Sequence, residues 1–483
     1  MDAKQMGYSD LMRPMEAHGG LVRPVFSRNA ACMSLELASL AYTLDVESWR
    51  REGWTDISYH VDNTLLTGDE ANGGTGGKWP GLMSEYRQFL TRLKVKSTNI
   101  LGQVLGTVRQ REHSDTCKAV VMIKKQPDGR YLVAIGFMGT GKRLHDWISN
   151  FRFIEEDGLH QGCLQLTRHF EDSLDKIVFQ ETAAELGLER LTLSDILQAC
   201  KKADSPFRLW LAGHSQGGGV MQAFAYRMIR QGVLREHIIG YGFASPSVLY
   251  GGNREDVRSI PLFHLLNGDD LVCRLGARLH VGTCFSCVPD ERMRQICYGN
   301  VWQQKPFRSM LNLMHRVRSN GDAILFLLAL IRSYCALEDA EMMRVLSAML
   351  ARILPEKMNN MLGGKVDEGL QLLRRYLEGT YISYTGLQQL PEWKVTVLSG
   401  QVDQLMKETG AKGFLRYLVQ AISVPHRMRY LPAYGKALPA YQYMAEYAGD
   451  VLINTVTLHY PLSGKRSGGG ERRKAWGRFG RRI

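Results

Sequence analysis

Leu209-Trp210-Leu211-Ala212-Gly213-His214-Ser215-Gln216-Gly217-Gly218-Gly219 decides the reading of this 483-residue chain. A short apolar run, a Gly-x-Ser-x-Gly and then a helical pattern describe a strand, a sharp turn and a helix. A serine at the tip of such a turn lifts its hydroxyl above the end of a sheet, where a base and a substrate reach it. Gly213 and Gly217 flank Ser215 because side chains two positions away on either side collide in so tight a turn. Val220, Met221, Phe224, Ala225, Met228 and Ile229 recur at helical spacing, and Gly232 marks a stop. The start of that helix turns positive backbone dipole toward the serine. A turn serine with a purely structural role is the bland alternative, and the flanking strand and helix favour the nucleophile.

Around this centre the pattern alternates. Cys32 to Glu47 reads as an amphipathic helix, and Ala119–Ile123 and Tyr131–Ile135 as strands joined by the turn Pro127-Asp128-Gly129. Phe170–Leu186 and Leu193–Lys201 look helical, and Ile238–Phe243 and Leu262–Leu266 look like strands. Strands alternating with helices predict a mainly parallel sheet covered on both faces. From Phe307 to Glu378 helix follows helix, with Pro355 as the one break, and strand-like pieces return at Tyr381–Tyr384 and Trp393–Leu398.

The net charge of +13 is uneven, because residues 464–483 hold eight Lys/Arg against the single acid Glu471. That basic tail, with Gly468-Gly469-Gly470, reads as disordered. It suits peripheral contact with an anionic membrane through Trp476 and Phe479, or merely a solubilising end; no specific nucleic acid is expected. Met1–Gly20 contains Asp2, Asp10 and Glu16 and no apolar segment, which predicts no cleaved export signal. The most apolar run, Ala323–Ile331, is too short to span a bilayer. The nine cysteines are expected to be mostly reduced, in a cytoplasmic or peripherally membrane-associated protein, with export without a cleaved signal left open.

A serine nucleophile needs a base, an orienting acid and an oxyanion hole. Asn267-Gly268-Asp269-Asp270-Leu271-Val272 sets two carboxylates just beyond a predicted strand end; an Asp-rich turn is the alternative. At this point the chain resembles the fungal-type class 3 lipase family, through an ordered set of segments. These are Ile135–Thr140 with Asp146-Trp147-Ile148-Ser149-Asn150, His160-Gln161-Gly162-Cys163, the Ser215 elbow, Tyr241–Pro246, Asn267–Val272 and the helix ending Leu40-Ala41-Tyr42. The resemblance covers roughly Ala31 to Leu275 and a late histidine segment. Met138, Gln216 and Cys273 depart from the family's arginine, leucine and proline.

The resemblance implies an α/β-hydrolase-like fold and ester hydrolysis without a metal or organic cofactor. It makes Ser215 the nucleophile and Asp270 the acid, with Asp269 as the alternative. It draws the oxyanion hole from the backbone N–H groups of Thr140 and Gln216. It makes His426, in Val424-Pro425-His426-Arg427-Met428-Arg429-Tyr430, the base, with His459 and His280 as alternatives. The long gap from Asp270 to His426 then needs a helical insertion between acid and base.

The expected organisation is an N-terminal extension 1–30, a hydrolase core 31–306 and a helical insertion 307–380 serving as a cap or lid. The C-terminal part of the hydrolase domain, 381–463, follows with the base, and then the tail 464–483. The expected function is a lipase, phospholipase or carboxylesterase that takes a lipid or another ester through an acyl-enzyme. A catalytically inactive scaffold binding lipid or protein is the rival.

Two other signals are weaker. Gly136-Phe137-Met138-Gly139-Thr140-Gly141-Lys142 nearly matches a phosphate-binding loop, but Arg143 stands where the magnesium-ligating hydroxyl belongs. Cys273, Cys284, Cys287 and Cys297 include only one Cys-x-x-Cys, so buried thiols are expected over a zinc site.

Overall fold

The computed structural model describes residues 16–18, 21–23, 26–43, 45–61, 64–67, 117–139, 155–336, 366–428, 435–447 and 453–454. Thr140, the 141–150 segment, Pro355, His459 and the basic tail lie outside the described residues.

A nine-stranded sheet organises the chain. Its strands are β1 Thr55–Val61, β2 Thr64–Thr67, β3 Ala119–Lys125, β4 Tyr131–Phe137, β5 Phe207–His214, β6 Ile238–Phe243, β7 Leu262–Asn267, β8 Thr283–Cys287 and β9 Ile453–Asn454. They lie in the order β9-β8-β7-β6-β5-β4-β3-β1-β2. The run from β4 to β8 is parallel throughout. The strands at both ends join antiparallel. Side chains alternate across a strand, so each apolar run feeds two cores. Leu132, Ala134, Trp210, Ala212, Tyr241 and Phe243 face one. Val133, Ile135, Leu209, Leu211 and Ile238 face the other.

The helices are α1 Arg28–Thr43, α2 Gln161–Glu171, α3 Leu193–Ala199, α4 Gln216–Arg230, α5 Glu291–Tyr298, α6 Lys305–Met314, α7 Asn320–Cys335, α8 Val366–Thr385, α9 Glu392–Ser423 and α10 Ala440–Glu446. Shorter helical turns connect them. The first core packs under α1, where Ser34 accepts the indole N–H of buried Trp210 at 2.8 Å. The second packs under α2, α3 and α4. This is the α/β-hydrolase-like architecture, a mainly parallel sheet with helices on both faces.

Local differences from the sequence reading have physical causes. The single helix expected over Phe170–Leu186 instead ends at Glu171 and resumes as a short helix at Gln180–Glu185. Asp172, Ser173 and Asp175 favour turns there, while Ile177 and Phe179 are fully buried. The strand-like pieces at Tyr381–Tyr384 and Trp393–Leu398 are helical, in α8 and α9. Their β-branched and aromatic content suits a strand, but Leu370, Leu373, Leu377 and Tyr381 form one helical stripe against Ile324, Leu325 and Leu328 of α7. Packing along that stripe overrides local propensity.

Helices run from α5 to α9 between Asp270 and His426. The 380/381 boundary expected from sequence therefore falls inside α8. α9 bends at Gly410, whose φ is 69°. Among the described residues, no helix is long and apolar enough to cross a membrane.

Candidate active site

β5 delivers Ser215 to the start of α4. Its backbone has φ 58° and ψ −132°, a left-handed conformation that costs a non-glycine residue about 1–3 kcal/mol. The turn is pinned by the Ser215 N–H donating to the Phe243 carbonyl on β6 at 2.8 Å, and by the Gly218 N–H donating to the Ser215 carbonyl at 2.9 Å. A Cβ on Gly213 would lie 2.4 Å from the Gly217 carbonyl oxygen. A Cβ on Gly217 would lie 2.3 Å from the Phe137 carbonyl oxygen and 2.8 Å from the Gly139 nitrogen. The next two glycines admit neighbours in the same way: Gly218 faces Ser245 Oγ and Gly219 faces Cys163 Sγ.

Gly217→Ala is therefore expected to push the Phe137-Met138-Gly139 segment off the elbow. The cost is about 1–3 kcal/mol, with loss of reactivity at Ser215. Gly400→Ala is the control, since Gly400 is exposed within α9 with nothing within 4 Å of an added Cβ. It should raise stability by about 1 kcal/mol and leave reactivity alone. Thermal melts and active-site labelling of both variants check the pair.

β7 delivers the carboxylates, and the two neighbours turn to different partners. Asp270 is fully buried. Its Oδ2 lies 2.8 Å from His426 Nδ1 and accepts the Tyr441 hydroxyl at 2.7 Å. Its Oδ1 accepts the Val272 N–H at 2.9 Å. Asp269, the alternative acid, is committed elsewhere. It accepts both Arg294 Nε and Nη2 at 2.8 Å, the Tyr298 hydroxyl at 2.6 Å, and faces His315 Nε2 at 2.9 Å. Burial alone would raise the Asp269 carboxyl, but hydrogen bonds from Arg294, His315 and Tyr298 outweigh it and hold it at about 2. Asp269 thus anchors α5 and the end of α6 to the β7 turn, while Asp270 faces the histidine.

His426 follows α9, and its backbone is held from both sides. The Asn267 side-chain amide donates to the Pro425 carbonyl at 2.9 Å. His214 Nε2 lies 3.0 Å from the His426 carbonyl, and the two imidazole rings are 4.6 Å apart. A carbonyl only accepts, so His214 carries its proton on Nε2, and Nδ1 accepts. That nitrogen is 3.2 Å from the Tyr42 hydroxyl, whose oxygen accepts the Gly139 N–H at 2.9 Å. One chain of hydrogen bonds therefore runs from the loop before Thr140, through Tyr42 and His214, to the backbone of His426. A Cβ on Gly139 would lie 3.0 Å from Ser215 Cβ, so this loop lies directly against the elbow.

Gln216 opens α4 beside the serine. Thr140, the other expected oxyanion donor, lies outside the described residues and follows Gly139 directly. His280 is not at this site: its Nε2 lies 2.9 Å from the Ser245 carbonyl and its ring is 5.3 Å from that of His264. Burial and the nearby His280 lower His264 to about 3, so it stays neutral. Of the four cysteines weighed for zinc, Cys273 reaches the Tyr441 hydroxyl at 3.1 Å and Cys287 lies 3.3 Å from the Met293 sulfur. Among the described residues no group of three or more ligating side chains is set for a metal.

The hydrogen-bonding roles of Tyr42, Tyr441, Asn267 and His214 escape the sequence. Tyr441 carries one signal, the buried stripe Ala440, Tyr441, Met444, Ala445, which marks a packed helix but no partner.

Comparison with known proteins gives three solved structures of note. The Rhizomucor miehei triacylglyceride lipase is 19% identical over 35% of this chain and 62% of that chain, at a TM-score of 0.25. The Rhizomucor miehei lipase propeptide complex is 16% identical over 43% and 70%, at 0.27. Lipase II from Rhizopus niveus is 12% identical over 42% and 81%, at 0.24. The chain spans less than two thirds of the first of these. No curated protein matches the chain. Residues 134–279, from β4 through the Ser215 elbow to beyond the Asp270 turn, match the model of the lipase (class 3) family.

Proposed function

We propose that this protein is a serine hydrolase of carboxylic esters, of the lipase or phospholipase type, acting through an acyl-enzyme. The observation that carries the reading is the 2.8 Å contact of Asp270 Oδ2 with His426 Nδ1, on a histidine whose ring is 4.6 Å from that of His214, the residue before the serine at φ 58°. The carboxylate fixes the proton on Nδ1 and leaves Nε2 to work on the substrate side.

As the Ser215 Oγ bonds to the ester carbonyl carbon, His426 Nε2 takes the hydroxyl proton, and the carbonyl electron pair moves onto oxygen. The backbone N–H groups of Gln216 and Thr140 receive that oxyanion. The intermediate collapses with cleavage of the carbon–oxygen bond to the alcohol, which leaves with the proton from His426. Water then repeats the sequence on the acyl-enzyme: His426 takes its proton, the acid departs, and the proton returns to Ser215. The cycle uses only this chain and water. The eight Lys/Arg of residues 464–483 suit an anionic lipid surface as the place where substrate is met.

A fluorophosphonate probe tests the reading, because it forms an Oγ–P bond with release of fluoride only at an activated serine. Wild type is expected to be labelled, and Ser215→Ala is expected not to be. A folded wild type that resists the probe sinks the hydrolase reading and leaves the inactive scaffold.

A further inference from the structure

We infer that Tyr441, supported by the Cys273 thiol, is a positioning residue that fixes the Asp270 carboxylate against His426. The inference rests on the serine-hydrolase reading above. Three polar groups meet the Tyr441 oxygen: Asp270 Oδ2 at 2.7 Å, Cys273 Sγ at 3.1 Å and the Asn267 backbone N–H at 3.2 Å. The phenol has one proton, and its hydroxyl donates it to Asp270 Oδ2. The Asn267 N–H takes one remaining lone pair, and the thiol must then donate its S–H to the other. The phenol is thereby saturated, with its orientation set by three fixed groups.

The carboxylate is fixed in turn. Oδ1 accepts Val272 N–H, and Oδ2 is shared between Tyr441 and His426. Rotation of the carboxylate would break all three contacts. Tyr441 itself cannot retreat, because it is fully buried with Ala440, Met444 and Ala445 on α10, which packs against α1. A proline side chain at position 273, as in the family pattern, has no donor, so the third contact belongs to this chain's own cysteine. Among the described residues, the charged and titratable groups near the Asp270–His426 pair besides Tyr441 and Cys273 include His214, at a ring distance of 4.6 Å, Arg274, whose Nε lies 3.4 Å from the Asp270 carbonyl, and the neighbouring Asp269, which is held by Arg294, Tyr298 and His315. Arg427 follows His426 and donates to the Cys297 carbonyl.

The test uses the full chain, a soluble short-chain ester and the pH dependence of kcat/KM. Tyr441→Phe keeps the ring and removes the donor. More negative charge then remains on Oδ2, which favours the imidazolium, so the acid limb of the profile should move to higher pH. We expect kcat to fall about tenfold, KM to stay within about twofold, and fluorophosphonate labelling of Ser215 to slow by the factor seen in kcat. Cys273→Ala should give a smaller loss with the same sign, and Cys273→Ser, which restores a donor, should recover most of it. These two variants carry the test if Tyr441→Phe fails to fold.

Unchanged kcat and acid limb in folded Tyr441→Phe overturn the inference. So does a loss of activity that tracks loss of folded protein with the acid limb unmoved, which is the mark of a merely structural tyrosine. Absence of labelling in wild type is a different result: it removes the hydrolase reading itself, and this inference with it.

Discussion

Ser215→Ala is expected to lower ester turnover by about 10⁵–10⁶-fold while leaving the melting temperature nearly unchanged. In the proposed mechanism the loss is large because the acyl-enzyme has no other oxygen to form on, and the histidine and carboxylate have nothing left to activate. Background hydrolysis from binding and the oxyanion donors should persist at roughly 10³–10⁴-fold over water. The stability half of the result comes from the backbone. Ser215 sits at φ 58°, and alanine keeps the Cβ that makes this conformation costly. Ser215→Gly should be equally inactive yet melt higher, since glycine adopts φ above zero without that penalty, a difference of about 1 kcal/mol. Steady-state kinetics and thermal melts of the two variants side by side check both halves. An alanine variant that retains turnover would place the reaction at another nucleophile. A glycine variant that melts below the alanine one would mean that the strained turn is not relieved by losing the side chain.

The elbow was legible because local rules agreed there. A continuous apolar run marks a strand buried on both faces, and Trp210 and Leu211 do feed opposite cores. Glycine at 213 and 217 has a steric reason that spacing alone exposes, and the structure supplies the atoms that an added Cβ would strike. The boundaries of β6 were readable for the same reason: Ile238–Phe243 is apolar between clear stops. The strand-like stretch in α8 misleads because Tyr381-Ile382-Ser383-Tyr384 looks right over four residues, while the stripe that decides it runs from Leu370 to Tyr381 against a partner helix.

The site divided along the same line. Two adjacent aspartates look alike in sequence, and what separates them arrives from distant segments. Arg294, Tyr298 and His315 reach Asp269, whereas His426 and Tyr441 reach Asp270. No spacing rule links position 270 to position 441. The hydrogen-bonded chain Gly139–Tyr42–His214–His426 is likewise assembled only by the sheet, which brings the end of α1, the end of β4 and the end of β5 to one place.

The two aspartates should therefore fail in opposite ways. Asp270→Asn is expected to cut kcat by about 10⁴-fold with the fold intact. An amide that presents its N–H to His426 forces Nδ1 to accept, which moves the imidazole proton to Nε2, where it blocks proton uptake from Ser215. Asp269→Asn should leave Ser215 reactive in whatever protein folds but cost about 3–5 kcal/mol of stability, because Arg294 loses its bidentate carboxylate partner. The pH dependence follows from the sign of the shift. Asp269 is held at about 2, below its ordinary value. Its contribution is full above the unfolded carboxyl value of about 4 and is lost as pH falls toward 2. Acid should therefore erode wild-type stability over that interval, and Asp269→Asn should show a flatter curve there. Chemical denaturation from pH 7 to pH 2, paired with fluorophosphonate labelling at neutral pH, separates the two roles. If Asp269→Asn loses labelling while fully folded, or Asp270→Asn keeps its turnover, the acid of the triad has been assigned to the wrong neighbour.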